Sequence, residues 1–290
     1  MKNKIATPKP AVHIVEQEFL NPYNPIVVNL IGAGGTGSQM LTALARMNQA
    51  LIALNHPGLF VRLFDNDKVE RANLGRQLFA TAELKKYKAV ALIDRVNLFF
   101  GTNWKAVPEF CNKSLFIQDP ALAQAGLTIS CVDTVKSRLE IADILKALSR
   151  TNGHSRNKPL YYMDFGNSRF TGQVILSTIG KVAQPQMKKY QTVESLPMVT
   201  DEFKELLMAS ESTDITPSCS LAEALAKQDL FINSSLANLG ASLLWQLFRE
   251  GMIFNRGFFL NLKEFRTQPL KITPANPAKK KTAITQRKAA

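Results

Sequence analysis

The chain has 290 residues, 46% hydrophobic and 20% charged, enough for one large α/β domain or two small ones with a sizeable core. No stretch of roughly 18 consecutive apolar residues occurs, and the N-terminus lacks an apolar segment with a cleavage site, so neither a transmembrane helix nor a secretory signal is expected. The formal charge of +13 permits a nucleic acid, a nucleotide or an acidic protein as partner, or simply a solvated basic surface, and three scattered cysteines with no CxxC pair argue against a disulfide framework or a zinc knuckle and fit a reducing cytoplasm.

Residues 1–25 contain prolines and little periodicity, and read as an arm lying on the surface. Residues 26–32, "IVVNLIG", form a β-branched apolar run, the pattern of a strand buried on both faces. Four glycines in six positions follow, then "SQMLTALARMNQALIAL" at helical spacing. "LFVRLFD" (59–65) reads as the second strand and "AELKKYKAVALIDRVNLFF" as a helix. "AGLTISCVD" (125–133) is another strand, "TVKSRLEIADILKALSR" a helix, and "PLYYMDFGN" (159–167) a further strand.

Strands alternating with helices predict a doubly wound, mostly parallel, Rossmann-like α/β sheet. After residue 168 the pattern changes. "FTGQVILSTIG" is strand-like, 181–218 is rich in Pro, Ser and Thr with a helical patch at "DEFKELLMA", and 229–248 is a strongly apolar helix. "GMIFNRGFFLNLKEFRTQPLKI" reads as antiparallel strands that close an edge. Residues 271–290 carry Lys279, Lys280, Lys281, Arg287 and Lys288 with no acidic residue, and read as a disordered basic tail.

Gly32, Gly34, Gly35 and Gly37 stand between a strand and a helix. Glycine permits a tight turn and close backbone approach, and the helix N-terminus supplies free N–H groups to a phosphate. The spacing contains GxGxxG, a weak signal alone, and close helix–sheet packing without a ligand gives the same pattern. No Lys-Ser or Lys-Thr follows, which excludes a P-loop. Asp65 ends the second strand, where a carboxylate accepts hydrogen bonds from ribose hydroxyls, so NAD and ATP are both served. The next residues separate them. Asn73, Arg76 and Gln77 follow in one turn-rich loop, and Lys88 lies at the start of a helix. Hydride transfer has no use for an arginine there, whereas a triphosphate suits its planar fork. Asp133 stands at the C-terminal end of a strand, the edge where open α/β sheets bind ligands, and can hold Mg²⁺ on phosphates.

The order GxGGxGS, Asp-x-Asp-x-Val-Glu-x-x-Asn-Leu-x-Arg-Gln, a helix lysine and Val-Asp-Thr-x-x-x-Arg resembles the ThiF/MoeB/ubiquitin-activating-enzyme family over roughly residues 26–260, within an adenylation domain expected at 26–270. "MDFGNSRFTGQVIL" (163–176) also looks like a family segment. Within the family, the chain looks most like the ThiF-related protein of the PRTRC plasmid and mobile-element cassette. The resemblance implies ATP-dependent adenylation of the C-terminal carboxylate of a small ubiquitin-like or sulfur-carrier protein, in a homodimer. Carried over residue by residue, Asp65 would hold the ribose and Gly34 and Gly35 would line the nucleotide. Asn73, Arg76, Gln77 and Lys88 would contact phosphates, and Asp133 would hold Mg²⁺. Cys219, just before the apolar helix, is a candidate thioester acceptor or a half-buried hydrophobe. Asp67 is a second carboxylate candidate or, like Glu70, a solvated turn residue; Arg138 matches a family arginine or pairs on its helix.

Two departures stand out. The family's paired CxxC zinc ligands are absent, so no structural zinc is expected. Residues 1–45 contain no arginine, whereas the family often supplies one from an N-terminal helix to its neighbour's ATP. A nucleotide-binding scaffold without turnover, an NAD-dependent oxidoreductase, and adenylation of a tRNA base or small molecule remain rival expectations. The basic tail either solubilises the chain or touches nucleic acid through phosphates. Cys131 is expected in the core, His56 in an exposed loop, and His13 and His154 receive no role.

Overall fold

A computed structural model of the chain describes residues 9–151, 158–210 and 228–274. Its main element is an eight-stranded sheet. The central strand is β2 (Ile26–Ile31), flanked by β3 (Leu59–Phe64) and then β4 (Lys105–Val107) on one side. On the other side lie β5 (Leu127–Ser130) and β6 (Tyr161–Asn167), and all five strands run parallel. The antiparallel strands β7 (Thr171–Thr178), β10 (Asn255–Asn261) and β11 (Arg266–Lys271) extend it beyond β6. The expected doubly wound parallel sheet with a C-terminal antiparallel extension is therefore present.

The sheet is apolar on both faces because its strands alternate between two cores. Val28 and Leu30 of β2 pack with the long helices α2 (Gly35–Ala53) and α3 (Lys88–Phe100) and with the last helix, α9 (Ile232–Glu250). Ile31, Phe64 and Tyr162 point the other way, toward α4 (Lys113–Gln118) and α6 (Val135–Thr151). Burial on both faces explains why these strands read as continuous apolar runs. Short helices α5 (Pro120–Ala123), α7 (Val199–Glu202) and α8 (Lys204–Ser210) fill the connections.

The strand order places a reversal between β2 and β5. The chain winds from β2 outward through β3 and β4, then returns to β5 and winds the opposite way. Such a switch point opens a crevice at the carboxyl ends of the two central strands. Gly32 follows β2 and Cys131 follows β5 at that crevice, with the Cys131 N–H donating to the Ile31 carbonyl.

Residues 9–25 differ from the surface arm expected of them. Ala11–Ile14 form β1, which pairs with β8 (Gln191–Thr192) and β9 (Met252–Ile253) in a second, three-stranded sheet. Helix α1 (Gln17–Leu20) follows, and its Phe19 stacks near Phe248 and meets Tyr161 edge-on. Val12, Val15 and Phe19 are buried. A four-residue strand is too short for its alternation to stand out, so only its partners, far away in sequence, reveal it.

His13 is the polar centre of this second sheet and is fully buried. Its Nδ1 lies 2.7 Å from the Val193 carbonyl, which can only accept, so Nδ1 carries the proton. Nε2 then accepts from the Tyr161 hydroxyl, whose oxygen accepts from the Glu16 N–H. Burial lowers the His13 pKa, opposed by the bond to Val193. The folded state thus resists a proton that the unfolded chain takes up near pH ~6.5. Stability contributed by neutral His13 is present above that pH and lost as the pH falls below it, at no more than about 1.4 kcal/mol per pH unit for one proton. The half-buried His56, lowered for the same reason, acts in the same direction. The urea midpoint of the wild type is expected to drop between pH 7.5 and 5.5, and that of His13→Asn to start lower and drop less. Parallel pH profiles for the two proteins would refute the assignment.

Candidate active site

The described residues enclose a cavity of about 200 Å³ at the switch point. Gly32, Gly34, Gly35, Asp65, Arg76, Gln77, Lys88 and Asp133 all line it. A larger cavity of about 490 Å³ lies between residues 17–27, Gly126 and Leu160. That one sits at the amino ends of the parallel strands, whereas open α/β sheets bind ligands at the carboxyl ends, so the smaller cavity is the candidate.

The glycines have separable reasons. Gly32 has a φ of +95°, and a Cβ there would meet the Cys131 carbonyl oxygen at 2.8 Å. A Cβ on Gly37 would come within 1.8 Å of the Gly32 carbonyl oxygen, so Gly37 lets α2 seat against the turn and does not line the cavity. Gly34 is different: a Cβ there meets nothing within 4 Å. Its backbone borders open space at the mouth of α2, where the first N–H groups of the helix lack intrahelical partners.

Asp65 is fixed by two backbone donors, the N–H of Ala33 at 2.7 Å and that of Asp67 at 2.9 Å. Burial raises its pKa, while these bonds and the nearby Lys88 pull it back. Its oxygens keep lone pairs for a further donor, as a ribose hydroxyl would be. Lys88 is the first residue of α3, and its ammonium pairs with Asp67 at 2.9 Å. Asp67 is a largely exposed turn carboxylate that also serves as the partner of Lys88.

Arg76 reaches the cavity from the loop after β3. Its Nη1 donates to Gln228 at 2.9 Å, and its Nε is buried without a partner among the described residues. The Gln77 Oε1 is also buried and unpartnered among them. Burial lowers the Arg76 pKa, yet a guanidinium stays charged at neutral pH. A buried N–H of a charged group left unpaired is costly, and an anionic ligand in the cavity would relieve it. Asn73 behaves otherwise. Its side chain accepts from the Glu70 N–H at 2.9 Å, closing the short turn at 71–73, and it does not line the cavity. It shapes the loop that presents Arg76.

Asp133 is exposed on the opposite wall, just past β5. The loop beneath it is held by a buried ion pair that sequence reasoning did not find. Arg138 donates to the carboxylate of Asp164 and, at 2.7 Å, to the Val132 carbonyl. Burial raises the pKa of Asp164 and Arg138 pulls it back; burial is also the largest influence on Arg138 and lowers its pKa, but Asp164, Tyr162 and Cys131 together leave it raised. Tyr162 adds a hydroxyl hydrogen bond to Asp164. Cys131, expected in the core, is half-buried and lines the cavity, while burial pushes its thiol well above the ordinary range. Cys111 is buried, its thiol pushed up to about 12. Cys219, His154 and residues 275–290 of the basic tail lie outside the described residues.

Thr36, Asn167, Gln228 and Asn233 also line the cavity and were missed. The available signal was an asparagine in the first turn of a helix, among its buried apolar positions. Asn233 is buried there, so it must be hydrogen-bonded to something.

A strand–glycine turn–helix unit at the switch point of a doubly wound sheet, with cations and carboxylates on one cavity, defines a Rossmann-like α/β protein with an anion-accepting crevice. The chain belongs to the ThiF family, whose model matches residues 11–282. Members of that family are ATP-dependent adenylyltransferases. Among solved structures, PaaA aligns with a TM-score of 0.56 at 16% identity, over 88% of this chain and 66% of its own. MccB of E. coli with ATP aligns at 0.55 and 15% identity, over 90% of this chain and 67% of that one. MccB with selenomethionine MccA aligns at 0.54 and 16% identity, over 89% and 66%. At such identities the likeness is one of fold, and the chain spans about two thirds of the length of these proteins. No curated protein matches the sequence.

Proposed function

We propose that this protein binds Mg–ATP in the switch-point cavity and uses it to adenylate a carboxylate, that of the C-terminus of a small ubiquitin-like or sulfur-carrier protein. The observation that carries the proposal is the convergence of Arg76 and Lys88 on a cavity bordered by Gly34, with Asp65 and Asp133 on its walls. Two cations on one anion-accepting turn suit a triphosphate better than the pyrophosphate of NAD. The buried, unpartnered Nε of Arg76 fits the same group.

The chemistry follows from these positions. A carboxylate oxygen attacks the α-phosphorus, the P–O bond to the β-phosphate breaks, and an acyl-adenylate and pyrophosphate form. Asp65 orients the ribose, and Arg76 stabilises the charge that develops on the phosphates. Lys88 does the same after exchanging Asp67 for phosphate oxygens. Asp133 would hold Mg²⁺, which takes one or two carboxylates plus phosphate oxygens and would neutralise phosphate charge there. The cavity is smaller than the ~300–1,000 Å³ usual for small-molecule sites, so its side chains move apart as the nucleotide enters.

MccB has been crystallised with ATP and with MccA, which supports a nucleotide and a peptide or small-protein partner at a coarse level. A homodimer, a thioester on Cys219, contact with nucleic acid through the basic tail, and membership of the PRTRC cassette extend the same proposal.

Calorimetry with Mg–ATP and with NAD tests it. Wild type is expected to bind Mg–ATP and not NAD, and Asp133→Ala to bind Mg–ATP about tenfold more weakly, while metal-free ATP binding changes little. Binding of NAD in place of ATP would make the glycine turn a dinucleotide site. Equal Mg–ATP affinity in Asp133→Ala would remove that residue from the metal site. Pyrophosphate exchange with a candidate carrier protein then separates an adenylating enzyme from a nucleotide-binding scaffold.

A further inference from the structure

Arg76 is not held by its own loop. The Gln228 Oε1 accepts from the Arg76 Nη1 at 2.9 Å and from the Asn233 Nδ2 at 2.9 Å. The Asn233 Oδ1 in turn accepts from the Thr36 hydroxyl at 2.9 Å and from the Asn167 Nδ2 at 2.8 Å. This chain of bonds ties five parts of the fold together: the loop after β3, the residues before α9, the first turn of α9, the first turn of α2 and the end of β6.

The direction of each bond in the chain is fixed. A guanidinium only donates, so Gln228 must present its carbonyl oxygen to Arg76. The Asn233 group bonded to that same oxygen must then be Nδ2, which leaves the Asn233 Oδ1 to accept from Thr36 and Asn167. We propose that Asn233 and Gln228 are positioning residues that hold Arg76 aimed at the phosphates without neutralising its charge. A neutral carbonyl suits that task. It accepts one guanidinium N–H, leaves the buried Nε free, and yields to a phosphate oxygen, which bonds a guanidinium more strongly than an amide does. A carboxylate in its place would compete with the phosphate.

Two substitutions attack this arrangement in opposite ways. Asn233→Asp removes the N–H that orients Gln228; the Gln228 amide then turns its NH₂ to the new carboxylate and away from accepting, so Arg76 loses its anchor. Gln228→Glu keeps the anchor and makes it an ion pair that holds Arg76 back from ATP.

The proposal rests on the nucleotide site described above, and the experiment separates the two. ATP affinity is measured by calorimetry in wild type, Arg76→Ala, each positioning variant, and each positioning variant combined with Arg76→Ala. Melting temperatures confirm folding, and Gln228→Glu, at a half-buried site, serves if Asn233→Asp does not fold. Gln228→Leu, which removes the anchor and adds no charge, is measured in the same two backgrounds. It is expected to weaken ATP binding about tenfold when Arg76 is present and less than twofold when it is absent, within the coupling range of directly interacting residues. The two carboxylate variants also repel the phosphates directly and lose affinity in both backgrounds, more so when Arg76 is present. Equal losses in both backgrounds would mean that Gln228 and Asn233 act only on the fold or elsewhere on ATP, and would overturn the proposal while leaving the nucleotide site standing. Failure of wild type to bind ATP would overturn both.

Discussion

Arg76→Ala is expected to lower ATP-dependent adenylation about a hundredfold, the scale on which one well-placed charge-stabilising donor acts in a transition state. The reason is local. Arg76 is the cavity-lining cation whose only side-chain partner among the described residues is a neutral amide, and whose Nε has none. Lys88 cannot replace it, because its ammonium is a point charge without the planar fork and has its own place on the phosphates. The fold should hardly notice. Removing Arg76 leaves Gln228 still bonded to Asn233, so a loss of about 1 kcal/mol or less is expected. Arg76→Lys should recover little, since a lysine cannot reproduce the planar fork. The measurement is pyrophosphate exchange, or single-turnover adenylation once a carrier is found, beside a thermal melt. Activity within threefold of wild type, in a protein that melts normally, would sink the phosphate role of Arg76.

Arg138→Ala should have the largest effect on stability, about 3–5 kcal/mol. It strips the partner from Asp164, a carboxylate with no solvent exposure, and leaves the Val132 carbonyl without its guanidinium donor. For a chain of this size that corresponds to a fall in melting temperature of roughly 10 °C. The loop that carries Asp133 loosens at the same time, so Mg–ATP binding should weaken as well. Changing both partners separates the causes. Arg138→Met with Asp164→Asn removes the stranded charge and should regain much of the stability, because a buried pair replaced by neutral groups is often tolerated. Urea denaturation of the single and double variants measures this directly. A loss below about 1 kcal/mol for Arg138→Ala would mean that the pair is not closed in solution.

Much of the cavity-facing surface was legible in order along the chain. The "IVVNLIG" strand declares itself because a strand buried on both faces must be apolar at every position, and the glycine turn because no side chain fits at Gly32 or Gly37. Asp65, Arg76, Gln77, Lys88 and Asp133 were legible because each follows a recognisable strand end or opens a helix, where the topology sends the chain to one edge. Asn73 was legible as a polar loop residue but not in its task, since capping a turn and touching a ligand use the same amide. The helix expected over 82–100 begins at Lys88, because Lys85 takes a φ of +69° that no helix tolerates and residues 81–83 close a separate turn. Propensity alone does not register a single left-handed residue.

The sequence by itself determined the alternation of strands and helices, the glycine turn and the charged residues at the sheet's carboxyl edge. These depend on periodicity and on neighbours within a few residues, which the chain carries locally. The tertiary structure alone decided that residues 11–20 belong to the core, that burial disfavours a charge on His13, that Asp164 stands opposite Arg138, and that Gln228 bonds both Arg76 and Asn233. Each of those is a contact between residues far apart in the chain. A buried polar group must find a partner, but its identity is fixed only when packing brings two distant elements together.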